Sequence, residues 1–531
     1  MKVLIITGKL AYPLVKEKAD KSKVDTIVHI ADNTQVAAFL TPNKIIKEIK
    51  NNFANQLDTV DFIIAPGLMR KSTTEIKEAF NIPTFKGSTD AADLQMVLDL
   101  MEDLELSEVK AADRLIEEEK RKQAFELINN YENDKINVNN LLKKSENILV
   151  KNLPVGEDFP MRVLSEIANA PALSKEDLIK KAEYFIASGS DMIDIGMLAG
   201  EDRSEDIPSL IDTLRLIVGD KPLSIDTLNP KEIKIAVDCG IDMVLSLDHG
   251  NCEELLPLLK EHNVPAVLLP TNYNEGFVPH TPKERIDSMK KLIKKTEGLD
   301  IIADMVLDPI NSNSLVDSIT AYNDFHKQCK RPMFFGIGNV IELMDTDSVG
   351  ANAVLSGLAM ELGASILFTP EESAKTAGSV HELAVASKMM FLAKKRHSIP
   401  KDLGIDLLVF KDKRKHNNLS EQYNVPLEEA SECKKFKRDP KGSFKIRVSY
   451  GKNVEDSKII VTHFTKTKPD ISISGSYAKE IYDELVKKGL VTRLEHAAYL
   501  GSELEKAEIA MITGKDYIQD FPLFNHPLKL N

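Results

Sequence analysis

The run Lys221-Pro222-Leu223-Ser224-Ile225-Asp226-Thr227 decides how the middle of the chain is read. A short apolar strand ends in a carboxylate, and Leu228-Asn229-Pro230 then turns the chain into a helical pattern. The same event stands before it in Ile193-Asp194-Ile195-Gly196 and after it in Val306-Leu307-Asp308-Pro309. Strands that repeatedly deliver an acid at their carboxyl ends argue for a repeated β-strand and α-helix unit.

Working outward, eight strand-like runs follow in order, at 163–168, 192–196, 222–226, 243–247, 265–269, 301–308, 333–338 and 365–368. Helical patterns such as 176–187, 231–238, 253–261 and 283–296 separate them. Eight consecutive units predict a closed (β/α)8 TIM barrel over residues 151–402 in preference to a doubly wound sheet.

The rest of the chain reads as flanking domains. Residues 1–115 alternate strands (3–7, 25–30, 61–65, 82–85) with helices, as a Rossmann-like α/β domain does. Its strands end in Thr7-Gly8-Lys9, Ala65-Pro66-Gly67 and Lys86-Gly87-Ser88-Thr89, where open α/β sheets bind ligands. Glycines also end strands for purely steric reasons. No Gly-x-Gly-x-x-Gly or Walker pattern marks a dinucleotide or ATP. Residues 116–150 form a charged helical arm. Residues 403–531 read as an α+β domain, with strands at 407–410, 444–449 and 458–464 and helices at 477–487 and 494–510.

Composition excludes several classes. With 43% hydrophobic and 28% charged residues the chain is globular, and at 531 residues it exceeds one ordinary domain. A net charge of -13 argues against a nucleic-acid surface. The apolar runs are strand-sized and the N-terminus enters a strand at once, so no signal peptide or membrane span is expected, and the expected compartment is the cytoplasm. Cys239, Cys252, Cys329 and Cys433 show no Cys-x-x-Cys spacing, which argues against a zinc cage or disulfide framework.

Function is read at the barrel mouth, where strand carboxyl ends form the active site. Asp194, Asp226 and Asp308 end the second, third and sixth strands, and Asn339 follows the seventh in Phe335-Gly336-Ile337-Gly338-Asn339. Acids at a barrel mouth are costly unless they meet donors or a cation. A divalent metal or a flat heterocycle with adjacent N–H groups would satisfy them. No paired histidines stand at a strand end, so no metal-ligand set is assigned.

Gly189-Ser190-Asp191-Met192-Ile193-Asp194-Ile195-Gly196, Ser224-Ile225-Asp226-Thr227 and Leu307-Asp308-Pro309 together resemble the pterin-binding family over residues of about 150–400. That family includes dihydropteroate synthases and methyltetrahydropterin methyltransferases. The resemblance implies that Asp308 accepts two hydrogen bonds from the pterin's amino and ring N–H groups, as a carboxylate grips a guanidinium. It implies ring contacts for Asp226 and substrate contacts for Asp194. A synthase's Asn after strand four corresponds here to Leu245 or Ser246, and Ser246 is taken as the contact.

The chain departs from the synthases in three loops. Gly338-Asn339-Val340 stands for Ser-Arg-Lys, Phe368-Thr369-Pro370 for Arg-x-His, and Asn311-Ser312-Asn313 for Gly-Phe-Gly-Lys. Gly-Asn-Val is similar to the methyltransferase branch, whose Asn contacts the pterin. The domain order and His496-Ala497-Ala498-Tyr499-Leu500-Gly501 resemble the large archaeal dihydropteroate-synthase-related proteins. That resemblance implies a transferase of tetrahydromethanopterin biosynthesis, acting as a homodimer. It would join a dihydropterin methyl diphosphate to a phosphorylated arylamine. Arg203 would meet the diphosphate, with magnesium as its companion. Lys375, Thr376 and Ser379, ahead of a long helix, would hold the arylamine phosphate, although such residues also serve as ordinary caps. The alternatives are methyl transfer between a tetrahydropterin and a separate corrinoid protein, and a non-catalytic pterin-binding module.

Overall fold

The structure, a computed structural model, describes the chain except residues 103, 412–424, 427, 432–436, 452–455 and 525–531. Cys433 lies outside the described residues. The chain forms two compact units, Met1–Asn129 with Asp402–Glu429, and Asn130–Lys401 with Ala430–Asn531. The boundary expected at 115 falls inside one continuous helix, Ala112–Asn133. The segment after residue 402 groups with the first unit and not with the carboxyl-terminal domain.

The first unit contains a parallel sheet of β1 (Lys2–Thr7), β2 (Asp25–Ile30), β3 (Phe62–Ala65) and β4 (Thr84–Lys86), in the order β2-β1-β3-β4. Both faces of β1 are buried. Leu4 and Ile6 pack with Ile45, Ile49 and Ile63 on one side, and Val3 and Ile5 with Val15, Leu94 and Leu98 on the other. A sheet covered on both faces needs such a continuous apolar run.

In the second unit a hairpin of β5 (Asn147–Val150) and β6 (Leu153–Gly156) precedes the barrel. The barrel strands are β7 (Arg162–Ile167), β8 (Met192–Gly196), β9 (Leu223–Asp226), β10 (Met243–Leu247), β11 (Ala266–Leu268), β12 (Ile301–Asp304), β13 (Met333–Phe335) and β14 (Ile366–Thr369). They close into the eight-stranded parallel barrel that the repeat arithmetic predicted. Ile148, Val150 and Val155 of the hairpin join the interior cluster of Leu164, Met192, Met243 and Phe334, and thereby add to the filling of the barrel.

The carboxyl-terminal domain is an antiparallel sheet of β15 (Ser443–Ser449), β16 (Lys458–Thr465) and β17 (Lys468–Gly475). The helices Ala478–Lys487 and Leu494–Thr513 follow and supply the other side of its core. Residues 407–410, expected as a strand, are not part of one among the described residues, and Leu408, Val409 and Phe410 are exposed. Among the described residues no helix is long and apolar enough to cross a membrane.

Candidate active site

Barrel register builds the mouth. Glu166 on β7 pairs with Asp194 on β8, Asp194 with Ser224 on β9, and Gly196 with Asp226. A carboxylate oxygen from each of Glu166, Asp194 and Asp226 lies within 4.8 Å of the others. Gly196 is what lets Glu166 in, since a Cβ there would meet Glu166 Oε1 at 2.2 Å. Asp194 is fully buried; its Oδ1 takes the Ser224 hydroxyl and its Oδ2 has no partner.

A fourth acid, Asp304, ends β12 and holds Tyr322 Oη at 2.7 Å and the Val306 N–H at 2.8 Å. Burial, then the charge of Asp226, pushes Glu166 up to about 7, with Lys181 opposing. Burial and Asp304 push Asp226 to about 7. Asp194 is raised well above the carboxylate range by burial and by its two acidic neighbours. Burial raises Asp304 to about 6 against its two hydrogen bonds and Arg285. The cluster as built is short of positive charge, and its acids compete to stay protonated.

This donor set fits a hard divalent cation. Three carboxylates offer oxygen ligands of the kind magnesium and manganese prefer, and the orphaned Asp194 Oδ2 lacks the partner that a buried anion requires. Glu166, Asp194 and Asp226 are the residues that would hold such an ion.

Several residues named from sequence sit elsewhere. Asp308 lies four residues beyond the end of β12 and is the counter-ion of the buried Arg285. Its Oδ2 also takes the Ser318 hydroxyl at 2.9 Å and its Oδ1 the Asn313 amide at 3.3 Å. Both oxygens are therefore engaged, and the acid that the sixth strand presents is Asp304. Asp304 and Asp308 are four apart, so a strand continued to 308 would show both on one face. The chain instead turns after 304, with Val306 at φ 63°.

The helix Ser379–Arg396 does not present a free amino-terminal end. Glu371 accepts the Gly378 and Val380 N–H groups, each at 2.8 Å, and Tyr184 Oη at 2.5 Å. Lys375 pairs with Asp345 at 2.8 Å, Thr376 Oγ1 donates to Glu342 at 2.8 Å, and Ser379 Oγ accepts from Asn352 at 3.1 Å. The residues expected to hold an arylamine phosphate are thus engaged with the protein's own side chains in this structure. Arg203 is held by Asp206 at 2.7 Å and donates to the Pro171 carbonyl at 3.4 Å. Ser246 is buried on β10, its carbonyl accepting from Asn251. Asn339 is exposed after β13 and donates to the Leu307 carbonyl at 3.1 Å.

Residues 165–369 match the pterin binding enzyme family, and residues 438–520 match the domain family PterinBD-DUF4346. An uncharacterized protein of Methanocaldococcus jannaschii is 44% identical over 536 residues, covering 99% of each chain. A Ycf91-like protein of Nostoc is 42% identical over 50 residues, or 9% of this chain and 39% of that protein. Among solved structures, a dihydropteroate synthase of Xanthomonas albilineans is 18% identical, with TM-score 0.39, covering 49% of this chain and all of the synthase. The Thermus thermophilus dihydropteroate synthase with 6HMPPP gives 15% identity, TM-score 0.36 and coverage of 45% and 97%. The chain belongs to the full-length family of the Methanocaldococcus protein, and its barrel carries the match to the pterin binding enzyme family.

Proposed function

We propose that the barrel is a dihydropteroate-synthase-like transferase that joins a dihydropterin methyl diphosphate to an arylamine, with diphosphate leaving. The family resemblance links the product to tetrahydromethanopterin. The carrying observation is the trio Glu166, Asp194 and Asp226, an oxygen-donor set with an orphaned buried oxygen. A diphosphate cannot approach that many acids unaccompanied, and a magnesium ion bound there would offset its charge as it departs.

The chain's own residues have separate tasks in this reading. Asp304, whose Oδ1 is fixed by Tyr322 and the Val306 N–H, would accept a pterin N–H on its other oxygen in a charge-assisted hydrogen bond. Its partners hold the carboxylate in position before the substrate arrives, as precise alignment of two reactants requires. Asp226 belongs to the cation trio and also feels the charge of Asp304, so it links the two tasks electrostatically. The arylamine carries no requirement for a phosphate here, since Lys375 and its neighbours are already paired.

Diphosphate release tests the reading. The full chain, given the dihydropterin methyl diphosphate, 4-aminobenzoate or a ribosylated aniline, and magnesium, should release diphosphate and form the coupled pterin. Chelation should abolish both. Turnover unaffected by chelation would overturn the role of the trio. A second reading, methyl transfer, is favoured by exposed Asn339 in Gly338-Asn339-Val340. Demethylation of a methyltetrahydropterin by a reduced corrinoid, without any diphosphate chemistry, would establish it instead.

A further inference from the structure

We propose a second binding site, for an uncharged, ring-sized organic molecule, in the crevice outside the carboxyl ends of β1, β3 and β4. It stands independently of the barrel reading.

The position follows from topology. In the order β2-β1-β3-β4 the chain leaves β1 outward to β2 and then returns past β1 to β3. Connections diverge at that switch, and open parallel sheets bind ligands in the gap they leave. Three loops meet there, Thr7-Gly8-Lys9, Ala65-Pro66-Gly67 and Lys86-Gly87-Ser88-Thr89. They surround a cavity of about 630 Å³, within the span usual for small-molecule sites.

The rim is built and not a gap between loose loops. A Cβ on Gly67 would lie 2.4 Å from the Gly87 carbonyl oxygen, and one on Gly8 2.7 Å from Ala37 N. Only glycine permits these backbone approaches. Lys9 N donates to the Thr34 carbonyl at 2.9 Å, Gly67 N to Ser88 at 3.2 Å and Gly87 N to Ala65 at 2.7 Å. Asp113 fixes the third loop by accepting the Thr89 N–H at 2.8 Å and its hydroxyl at 2.5 Å.

The lining selects the ligand. Leu10, Leu14, Val36, Ala38 and Leu68 supply apolar wall, while Thr7 and Ser88 offer hydroxyls. No lysine, arginine or histidine is among the described residues that line the cavity, and Asp90 is. The nearby buried Lys86 donates to the Met69 carbonyl at 2.7 Å. The helix Tyr12–Asp20 begins at the rim with proline in its first turn, which removes one N–H that an anion would need. A phosphate would enter beside a carboxylate with no cation to meet it. An uncharged aromatic or heterocyclic molecule, oriented by one or two hydrogen bonds, suits these walls.

Nile red, an uncharged aromatic dye, is the probe, and 1-anilinonaphthalene-8-sulfonate is its anionic counterpart. Fluorescence titration of the full chain should find a saturable Nile red site that weakens at least tenfold in Ala38→Phe and in Ala91→Phe, two fillings of opposite walls. The sulfonate should not displace the dye. In wild type, Nile red should slow amide exchange in the loops after β1, β3 and β4. Unchanged affinity in a folded filling variant, equal competition by the sulfonate, or no slowing of exchange in those loops would each overturn the proposal.

Discussion

Exchanging each of two neighbouring acids for its amide tests the proposal that Asp304, and not Asp308, meets the pterin. Asp304→Asn keeps an oxygen for Tyr322 Oη and the Val306 N–H, so the local hydrogen bonds survive. What it removes is the negative charge that would face the pterin's donor edge. A hydrogen bond to a charged group contributes about 1.5–3 kcal/mol, so calorimetric affinity for a reduced pterin should fall by roughly 10- to 150-fold. Asp308→Asn acts elsewhere. Arg285 is 2% exposed, and its guanidinium reaches Asp308, the Met305 and Val306 carbonyls and Ser318. Removing its counter-ion leaves a buried charge, a loss of roughly 3–5 kcal/mol. That loss should appear as faster amide exchange in barrel peptides around 285 and 301–308, while a pterin that still binds should do so with little change. The reverse result would refute the assignment: pterin affinity lost in Asp308→Asn with exchange unaltered, and kept in Asp304→Asn.

Two further predictions follow from the same charges. The raised carboxyls hold protons that a cation must displace, so divalent-ion affinity should rise with pH through the neutral range. With Glu166 and Asp226 each at about 7, Mn²⁺ should bind about 100-fold more tightly at pH 8 than at pH 6, releasing protons at the lower pH; calorimetry that finds neither effect contradicts the trio as ligands. Glu371→Ala should uncap the helix Ser379–Arg396, costing roughly 0.5–2 kcal/mol, seen as faster exchange at Gly378 and Val380. Inorganic phosphate should restore that protection in the variant and leave wild type unchanged, and a variant with wild-type exchange would mean Glu371 is no cap.

The barrel was legible because its units repeat, and because several of its apolar strands carry an acid at or near their carboxyl ends, as β8, β9 and β12 do. The expectations and the structure part where two physical solutions share one pattern. Asp304-Met305-Val306-Leu307-Asp308 reads as strand continuing to 308, and only the backbone turn at Val306 shows that the strand has ended. Glu166 sat inside the run 163–168 and was passed over, although an acid within an otherwise apolar strand is itself a signal. The β5–β6 hairpin went unread because its strands are four residues long, joined across Lys151-Asn152 at the end of a charged arm. Lys375, Thr376 and Ser379 have the composition of an anion site, but Glu371 in the same stretch already supplies the anion. No local pattern reports such internal competition.

The departures from the synthases and the acids of the mouth belong to one argument. The loops after β13 and β14 carry Gly338-Asn339-Val340 and Phe368-Thr369-Pro370, with no lysine or arginine where the resembled synthases have fixed cations. Arg203, the cation nearest to that task in sequence, is tied to Asp206. Over the same part of the fold the chain sets a glutamate against Asp194 and Asp226, and Gly196 makes room for it. An apolar filling of the same volume would be more stable than so many buried acids, and raised carboxyls in a cleft mark sites that handle charge. Missing side-chain cations and a cluster of buried carboxylates have the same electrostatic direction. Each makes a diphosphate harder to hold by side chains alone and easier to hold through a bound divalent ion. On the proposed reading, the missing basic residues do not by themselves argue for lost catalysis, because a divalent ion held by Glu166, Asp194 and Asp226 would take over their task.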